Sequence, residues 1–185
     1  MSKAFTNENA DAPEEDFPRP SRESELPLTA KNYTTPQGHR RLIGELEQLI
    51  KIDRPAAAAQ ATNAAATSQN LDLQTYKRRL REIDWRIGYL QQRVDRAEVI
   101  DPAKRTPTDQ IFFGATVRFA NARGQERTVS IVGVEETDTA KRYVSFVSPL
   151  GKALLRARVG DVVTFEKPGA TEDLEILRVT YREIE

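Results

Sequence analysis

The stretch LQTYKRRLREIDWRIGYLQQRVDRA, residues 73–97, has a regular pattern of apolar side chains. These side chains recur at alternating steps of three and four residues, at Leu73, Tyr76, Leu80, Ile83, Ile87, Leu90, Val94 and Ala97. The pattern spans four heptads and is typical of a helix that packs along a partner helix in a coiled coil. As a helix, residues 71–98 would extend about 42 Å, at ~1.5 Å per residue.

The partner helix is expected to precede this stretch. Thr35 followed by Pro36 predicts a helix start, because threonine caps free backbone N–H groups and proline suits the first helical position. An apolar stripe follows at helical spacing, formed by Leu42, Leu46 and Leu49. Pro55 predicts a kink or interruption, and the mostly alanine stretch from Ala56 to Ala66 is expected to remain helical but to bury little surface. Residues 31–100 are therefore predicted to form an antiparallel helical hairpin that turns at residues 67–70.

Both flanks of the predicted hairpin differ from it in composition. Residues 1–30 hold seven Asp and Glu against three Lys and Arg, with few large apolar side chains, which predicts a disordered acidic tail. Residues 101–108 contain two prolines and are predicted to be a linker. Residues 31–100 hold twelve Lys and Arg against eight Asp and Glu, which indicates a local contact with a polyanion.

Residues 109–185 show the pattern of a small sheet. Predicted strands at 111–121 and 125–134 flank a turn at 122–124, and three more strands are expected near 142–147, 162–166 and 174–181. Ser148 and Pro149 predict the cap and first turn of a short helix that ends near Ala157. The predicted class is α+β: an antiparallel coiled-coil hairpin, followed by an antiparallel β domain with one short helix.

Composition excludes several kinds of protein. The chain has no cysteine and one histidine, so neither a disulfide framework nor a multi-histidine metal site is possible. No apolar run approaches the ~20 residues that span a bilayer, and the acidic N-terminus is unlike a secretory signal. We expect a cytoplasmic monomer with no membrane contact.

Four stretches in both predicted domains carry a resemblance to a known family. They are KRRLREIDWRIGYL from Lys77, IFFGATV from Ile111, VSIVGVEE from Val129 and VSPLGKALL from Val147. Together they resemble the bacterial Gre factors, most closely the B type, over about residues 31–181. The resemblance implies a hairpin that enters the secondary channel of RNA polymerase and an FKBP-like domain that docks outside it. It also implies that the polymerase hydrolyses its own backtracked RNA, so the factor is expected to be no enzyme and to have no cofactor of its own.

The predicted tip of the hairpin departs from this family. In the family, the tip carries an Asp and then Ser-Glu-Asn, and its acids help to hold a magnesium ion that belongs to the polymerase active site. The matching positions in this chain are Ala66, Ser68, Gln69 and Asn70, so both acids are replaced by neutral side chains. Asp72 matches a family acid outside the two metal-binding positions. The resemblance therefore implies a factor that enters the channel but does not stimulate cleavage; the alternative is an active factor that uses Asp72.

Two further sets of site residues follow from the resemblance. A basic flank of the second helix would contact phosphates of nascent RNA, through Lys77, Arg78, Arg79 and Arg86. The alternative for this flank is ion pairing with the first helix, for which Glu45 and Glu47 are candidates. Ser148, Pro149 and Leu150 match the family loop that docks on a polymerase coiled coil, and they also serve as a helix cap.

Two functions of other classes remain open on the sequence alone. An FKBP-like fold is compatible with a prolyl isomerase, although fold alone does not establish activity. A long hairpin is also compatible with an adaptor that binds an unrelated protein through its coiled coil. A peptide turnover assay tests the first alternative. The second is supported if a pull-down with this chain recovers a partner but no polymerase subunits.

Overall fold

A long helical finger forms the first half of the chain. The structure, a computed structural model, describes residues 31–66, 70–167 and 169–184. One arm of the finger contains helix α1 (Pro36–Gln48), a π-helical segment (Leu49–Asp53) and helix α2 (Arg54–Ala66). The other arm is helix α3 (Asn70–Asp95), whose 26 residues extend about 39 Å at ~1.5 Å per residue. The acidic tail and most of the predicted turn lie outside the described residues.

Ion pairs between the arms show that the hairpin is antiparallel, as predicted. Arg54 Nε lies 2.6 Å from Asp84 Oδ1, and Arg86 Nε lies 2.7 Å from Glu45 Oε1. The position in the first arm falls as the position in α3 rises, as expected of antiparallel helices.

The start of α1 is confirmed. The Thr35 hydroxyl oxygen accepts a hydrogen bond of 3.0 Å from the backbone N–H of Gly38, and Pro36 is the first helical residue. The cap satisfies one of the N–H groups that have no partner within the helix.

The kink predicted at Pro55 takes another form. The arm continues as helix through Ala66, and the irregularity is the π-helical segment Leu49–Asp53 immediately before Pro55. A π-helical turn shifts the hydrogen-bond ladder by one residue, which accommodates a proline that has no N–H to donate.

The prediction that the alanine stretch buries little is wrong for two positions. Ala57 and Ala64 are 4% exposed, and they lie on the side of α2 that packs against α3. Small side chains allow the two helices to approach closely, so burial here comes from short separation between the helices.

The heptad seam of α3 faces the first arm. None of its seven members within the helix is exposed, and Ile83 and Leu90 are buried, with 3% and 0% of their surface accessible. The eighth predicted position, Ala97, lies beyond the helix in strand β2 (Ala97–Val99). This strand pairs in parallel with β1 (Asn32–Thr34) and joins the two ends of the hairpin at its base.

A five-stranded sheet forms the second half of the chain. Its strands are β3 (Ala115–Asn121), β4 (Glu126–Val132), β5 (Tyr143–Ser145), β6 (Val162–Lys167) and β7 (Ala170–Tyr181), in the order β5-β4-β3-β7-β6. Three of the four pairings are antiparallel, as predicted, but β4 and β5 run in parallel. The connection between β4 and β5 contains a short 3-10 helix, Val134–Glu136, which brings the chain back in the same direction.

One face of the sheet carries the core. Alternate residues of β3, β4 and β7 pack beneath helix α4 (Pro149–Leu154) in a cluster of Ile111, Ala115, Val117, Phe119, Val129, Ile131, Leu154, Leu174 and Ile176. Each fully buried aliphatic side chain of this kind stabilises the fold by roughly 1.5–3 kcal/mol.

Helix α4 ends three residues before the predicted position. Ile111 and the segment that follows α4 exchange backbone hydrogen bonds of 2.8 Å, from Ile111 N–H to Ala157 and from Arg156 N–H to Ile111. This pairing takes up residues that would otherwise continue the helix, and it also keeps residue 111 out of β3.

The predicted linker packs against the β domain. It contains a 3-10 turn, Pro102–Lys104, capped by Asp101, and Pro102 is fully buried. The Arg105 guanidinium lies over the rings of Phe112 and Tyr181, at 4.7 and 5.4 Å from their centroids. The proposed domain limits themselves stay a prediction. Within the described residues, no helix combines the length and apolar character needed to cross a membrane.

Candidate functional site

The structure describes three of the five residues that were predicted to form the tip of the finger. Ala66 is exposed at the end of α2, and Asn70 is the first residue of α3. Asp72 is exposed in the first turn of α3. Ser68 and Gln69 lie outside the described residues. Within the described part of the chain, no group of three or more His, Asp or Glu side chains is arranged to hold a metal ion.

The basic flank of α3 begins near the tip. Lys77, Arg78 and Arg79 are exposed, and both arginines lie near Glu82, with closest N–O distances of 3.2 and 3.8 Å. Pairs this exposed are held weakly, because solvent screens them. These three cations therefore lie exposed on the half of α3 nearer the tip.

Arg86 is in a different environment. Its guanidinium forms two hydrogen bonds with the Glu45 carboxylate across the hairpin, at 2.7 and 3.0 Å. Hydrogen bonding to Glu45 raises the pKa of Arg86 above its usual value. The guanidinium also lies 5.4 Å from the ring centroid of Tyr89. This geometry favours the predicted alternative for Arg86, a pair between the two arms, while Glu47 pairs instead with Lys51.

Ser148 caps α4 in the predicted way. Its hydroxyl accepts a hydrogen bond of 3.0 Å from Gly151 N–H and donates one of 2.7 Å to the Ser145 carbonyl. Pro149 is exposed, and Leu150 is half-buried against the core. The loop therefore presents Pro149 from a fixed backbone, which is compatible with a docking role.

The cleft between α4 and the sheet is too small for a peptide proline. Phe119, Leu150, Phe165 and Leu174 line it, and its volume is about 20 Å³. A single water molecule needs roughly 10–15 Å³ of such space. The cleft therefore does not support the isomerase alternative.

Sequence reasoning missed the junction between the finger and the β domain. We use this name for Thr34, Thr35, Glu135 and Glu136. Glu136 is only 4% exposed, and its carboxylate accepts hydrogen bonds from the Thr34 hydroxyl (3.1 Å), the Thr35 N–H (3.0 Å), the Thr35 hydroxyl and the Gly133 N–H (3.0 Å). A buried carboxylate is stable only with such bonds, and the positive end of α1 favours it further.

Glu135 connects the same junction to α3. Its carboxylate accepts a hydrogen bond from the Tyr89 hydroxyl and lies 3.3 Å from Arg93 Nε, while its carbonyl accepts one of 3.2 Å from Arg41. Burial, together with the hydrogen bond to Glu135, raises the pKa of Tyr89. Arg93, seven residues beyond Arg86 on the basic flank, is therefore committed to the junction.

An aromatic cluster supports the junction from the other side. Tyr33 packs against Phe113 and Phe146 with ring centroids 5.5 and 5.6 Å apart, and Phe113 meets Phe146 edge to face at 5.8 Å. The two acids of the junction belong to the GVEE stretch after β4, and acids directly after a strand do not by themselves indicate burial.

Comparisons with known proteins agree with this architecture. The family model described as "Transcription elongation factor, N-terminal" matches residues 32–99, and the one described as "Transcription elongation factor, GreA/GreB, C-term" matches residues 106–181. The transcription elongation factor GreB of Neisseria meningitidis serogroup A is 46% identical over 159 residues, which are 84% of this chain and 97% of that protein.

More distant relatives extend the comparison. GreB of Yersinia pestis is 35% identical over 158 residues, which are 84% of this chain and 92% of that protein. A solved GreA/GreB factor from Nitrosomonas europaea is 24% identical and has a TM-score of 0.38, over 82% of this chain and 99% of that chain. On the two family models and the GreB relatives, this chain belongs to the GreA/GreB family of transcription elongation factors.

Proposed function

We propose that this chain regulates transcription elongation by inserting its finger into the secondary channel of bacterial RNA polymerase without stimulating RNA cleavage. One observation carries the proposal: a finger about 39 Å long, at ~1.5 Å per residue, ends in a segment without charge. Residues 55–71 contain no Asp, Glu, Lys, Arg or His. The finger has the length to reach a recessed site, but residues 55–71 bring no carboxylate there, and the nearest acid, Asp72, follows in the first turn of α3.

The chemistry of metal-assisted hydrolysis explains why the missing charge matters. Cleavage of a phosphodiester by two metal ions needs a second hard cation and a water molecule that it activates. Magnesium is held by oxygen ligands, usually one or two carboxylates. Ala66 has no side-chain oxygen and Gln69 has only a neutral amide, so this tip does not fit the ion. We propose that the factor has no active site and no metal of its own, the magnesium being that of the polymerase.

Two surfaces would fix the bound factor. Pro149 and Leu150, held by the Ser148 cap, would dock on a polymerase coiled coil at the channel rim. Lys77, Arg78 and Arg79 would contact the RNA backbone, a salt-sensitive contact that is independent of sequence. Arg86 is excluded from the second set, because its guanidinium is already paired with Glu45.

A cleavage assay on backtracked elongation complexes tests the proposal. The unaltered chain should bind polymerase and leave RNA cleavage at the rate of polymerase alone, whereas the double variant Ala66→Asp/Gln69→Glu should accelerate it. The control variant Ala59→Asp/Thr62→Glu adds the same charge at exposed positions farther down α2 and should not. Strong stimulation by the unaltered chain, or no binding to polymerase at low salt, would contradict the proposal.

The second candidate is a cleavage-stimulating factor that uses Asp72. The favouring observation is that Asp72 is exposed in the first turn of α3, next to the tip. Under this alternative the unaltered chain stimulates cleavage and Asp72→Ala abolishes it. Under the proposal, Asp72→Ala changes neither cleavage nor binding.

A further inference from the structure

A polar cavity lies on the face of the sheet opposite the core. Along β3 and β4, Val117 and Val129 point into the core, so their neighbours Thr116 and Ser130 point to the other face. There they line a cavity of about 500 Å³, which lies within the usual size range of small-ligand sites. Nothing in the proposed function of the finger uses this cavity.

The floor of the cavity carries hydroxyl groups. Thr116 and Ser130 are 6% and 7% exposed, and their hydroxyl oxygens lie 2.9 Å apart. Their mutual hydrogen bond uses one of the two hydroxyl protons, so the second can be donated to a ligand. Thr128 adds a third hydroxyl to the lining.

The rim of the cavity is positive. Among the residues that the structure describes, the rim carries Lys141, Arg142 and Arg182 and the acid Glu183. Neither Arg142 nor Arg182 forms an ion pair with another residue in the described part of the chain, whereas Arg118 and Arg158 of the same domain do. Guanidinium groups bind phosphate oxygens in pairs, so two arginines that line one cavity suit a phosphate.

The backbone of Arg142 holds its position at a conformational cost. Its φ is 60°, in the left-handed region that favours glycine. Backbone hydrogen bonds fix the conformation, from Arg142 N–H to Thr139 (3.2 Å) and from Ser130 N–H to Arg142 (3.1 Å). Strained residues of this kind cluster at binding sites, where the surrounding structure maintains them.

We propose that this cavity binds a small phosphorylated ligand the size of a mononucleotide. Its phosphate would lie between Arg142, Arg182 and the Thr116–Ser130 hydroxyl pair, with Lys141 neutralising further charge. Tyr143 is half-buried in the wall, and the Lys141 ammonium lies over its ring, 5.9 Å from the centroid. The rest of the ring would contact the uncharged part of the ligand. The recessed floor favours a small ligand over an extended polyanion, which would need an open track.

Titration of the full chain with AMP, ATP, inorganic phosphate and unphosphorylated adenosine tests the site, at an ionic strength of roughly 0.15 M to suppress nonspecific attraction. We expect saturable binding of the two nucleotides, with backbone amide NMR shifts concentrated at Ser130, Arg142 and Glu183. Adenosine should not bind, since it lacks the phosphate.

The matched variants are Arg142→Gly/Arg182→Ala and Arg123→Ala. Glycine suits the φ of residue 142, so the first variant removes charge without added backbone strain. It should weaken nucleotide binding about tenfold or more, as expected for two lost arginine–phosphate pairs. Arg123 is exposed in the turn at the far end of β3, and its loss should change nothing. The proposal is overturned if no nucleotide saturates the site, if both variants weaken binding equally, or if only an RNA oligonucleotide shifts these amides.

Discussion

Glu136 is the residue on which the junction depends. Its carboxylate accepts hydrogen bonds from two backbone N–H groups and two hydroxyls, contributed by both domains. Glu136→Ala leaves the two N–H groups buried without a partner, while the hydroxyls can reorient. We expect the free energy of unfolding to fall by about 2–4 kcal/mol. Urea unfolding, followed by the fluorescence of the single Trp85, measures the loss.

Two variants calibrate this measurement. Glu136→Gln keeps one acceptor oxygen and should fall between wild type and alanine. Glu175→Ala removes an exposed carboxylate from β7 and should change stability by less than about 0.5 kcal/mol. Equal effects of Glu136→Ala and Glu175→Ala would show that the junction contributes nothing to stability.

Residues differ in how far their roles could be predicted from the sequence. As caps, Thr35 and Ser148 each accept a hydrogen bond from the backbone N–H three residues later, so the Thr-Pro and Ser-Pro pairs were sufficient to place both caps. Glu136 acts on Thr35, 101 residues earlier in the chain, and acids are usually exposed. No local pattern indicates its burial, which depends on how the two domains meet.

At the scale of an element, helix α1 contains two glycines, Gly38 and Gly44, whose surroundings differ. A Cβ on Gly38 would lie 2.2 Å from the Glu136 carboxyl carbon, whereas one on Gly44 would meet nothing within 4 Å. Alanine favours helix over glycine by roughly 0.5–1 kcal/mol. Gly44→Ala should therefore stabilise the protein by about that amount, and Gly38→Ala should destabilise it despite the same propensity gain. Thermal unfolding of both variants measures these changes in stability. A stabilising Gly38→Ala would contradict the close approach of Gly38 to the Glu136 carboxyl group.

Helix α3 allows a second comparison, between cations with different partners. Arg86→Ala should lower the unfolding free energy slightly, by ~1 kcal/mol or less, because the Arg86–Glu45 pair is partly exposed. Arg79→Ala should leave stability unchanged but reduce crosslinking of the factor to the RNA 3′ end in elongation complexes. The opposite assignment of the two effects would mean that Arg86, and not Arg79, contacts RNA.

Elements with long periodic patterns were predicted correctly, and so were the short strand β5 and the start of the short helix α4, but strands β1 and β2 were missed. The seam of α3 repeats over four heptads, so its direction and buried face follow from the sequence. Strands β1 and β2 have three residues each, which is too short for an alternating pattern to be visible. The π-helical segment and the parallel pairing of β5 depend on hydrogen bonds between distant or shifted backbone groups, for which composition gives no signal.

At the scale of the whole molecule, three groups of contacts among the described residues hold the finger against the β domain. They are the Glu136 hydrogen bonds, the Glu135 contacts with Tyr89, Arg93 and Arg41, and the packing of Tyr33 against Phe113 and Phe146. The first two are polar and directional, so they favour one orientation, whereas aromatic packing tolerates rotation more readily. The acids of the junction should therefore determine the direction in which the finger points.

Distance measurements between spin labels test this last prediction. Because the chain has no cysteine, Ala65→Cys on α2 and Arg123→Cys in the β3–β4 turn can be labelled without background. Both positions are exposed. We expect one narrow distance distribution between the two labels in the Ala65→Cys/Arg123→Cys protein. The distribution should broaden when Glu135→Gln and Glu136→Gln are added. Adding Glu175→Gln instead should leave it narrow. If the distribution stays narrow without the two acids, the Tyr33 cluster alone holds the finger, and the polar contacts stabilise the junction without setting its direction.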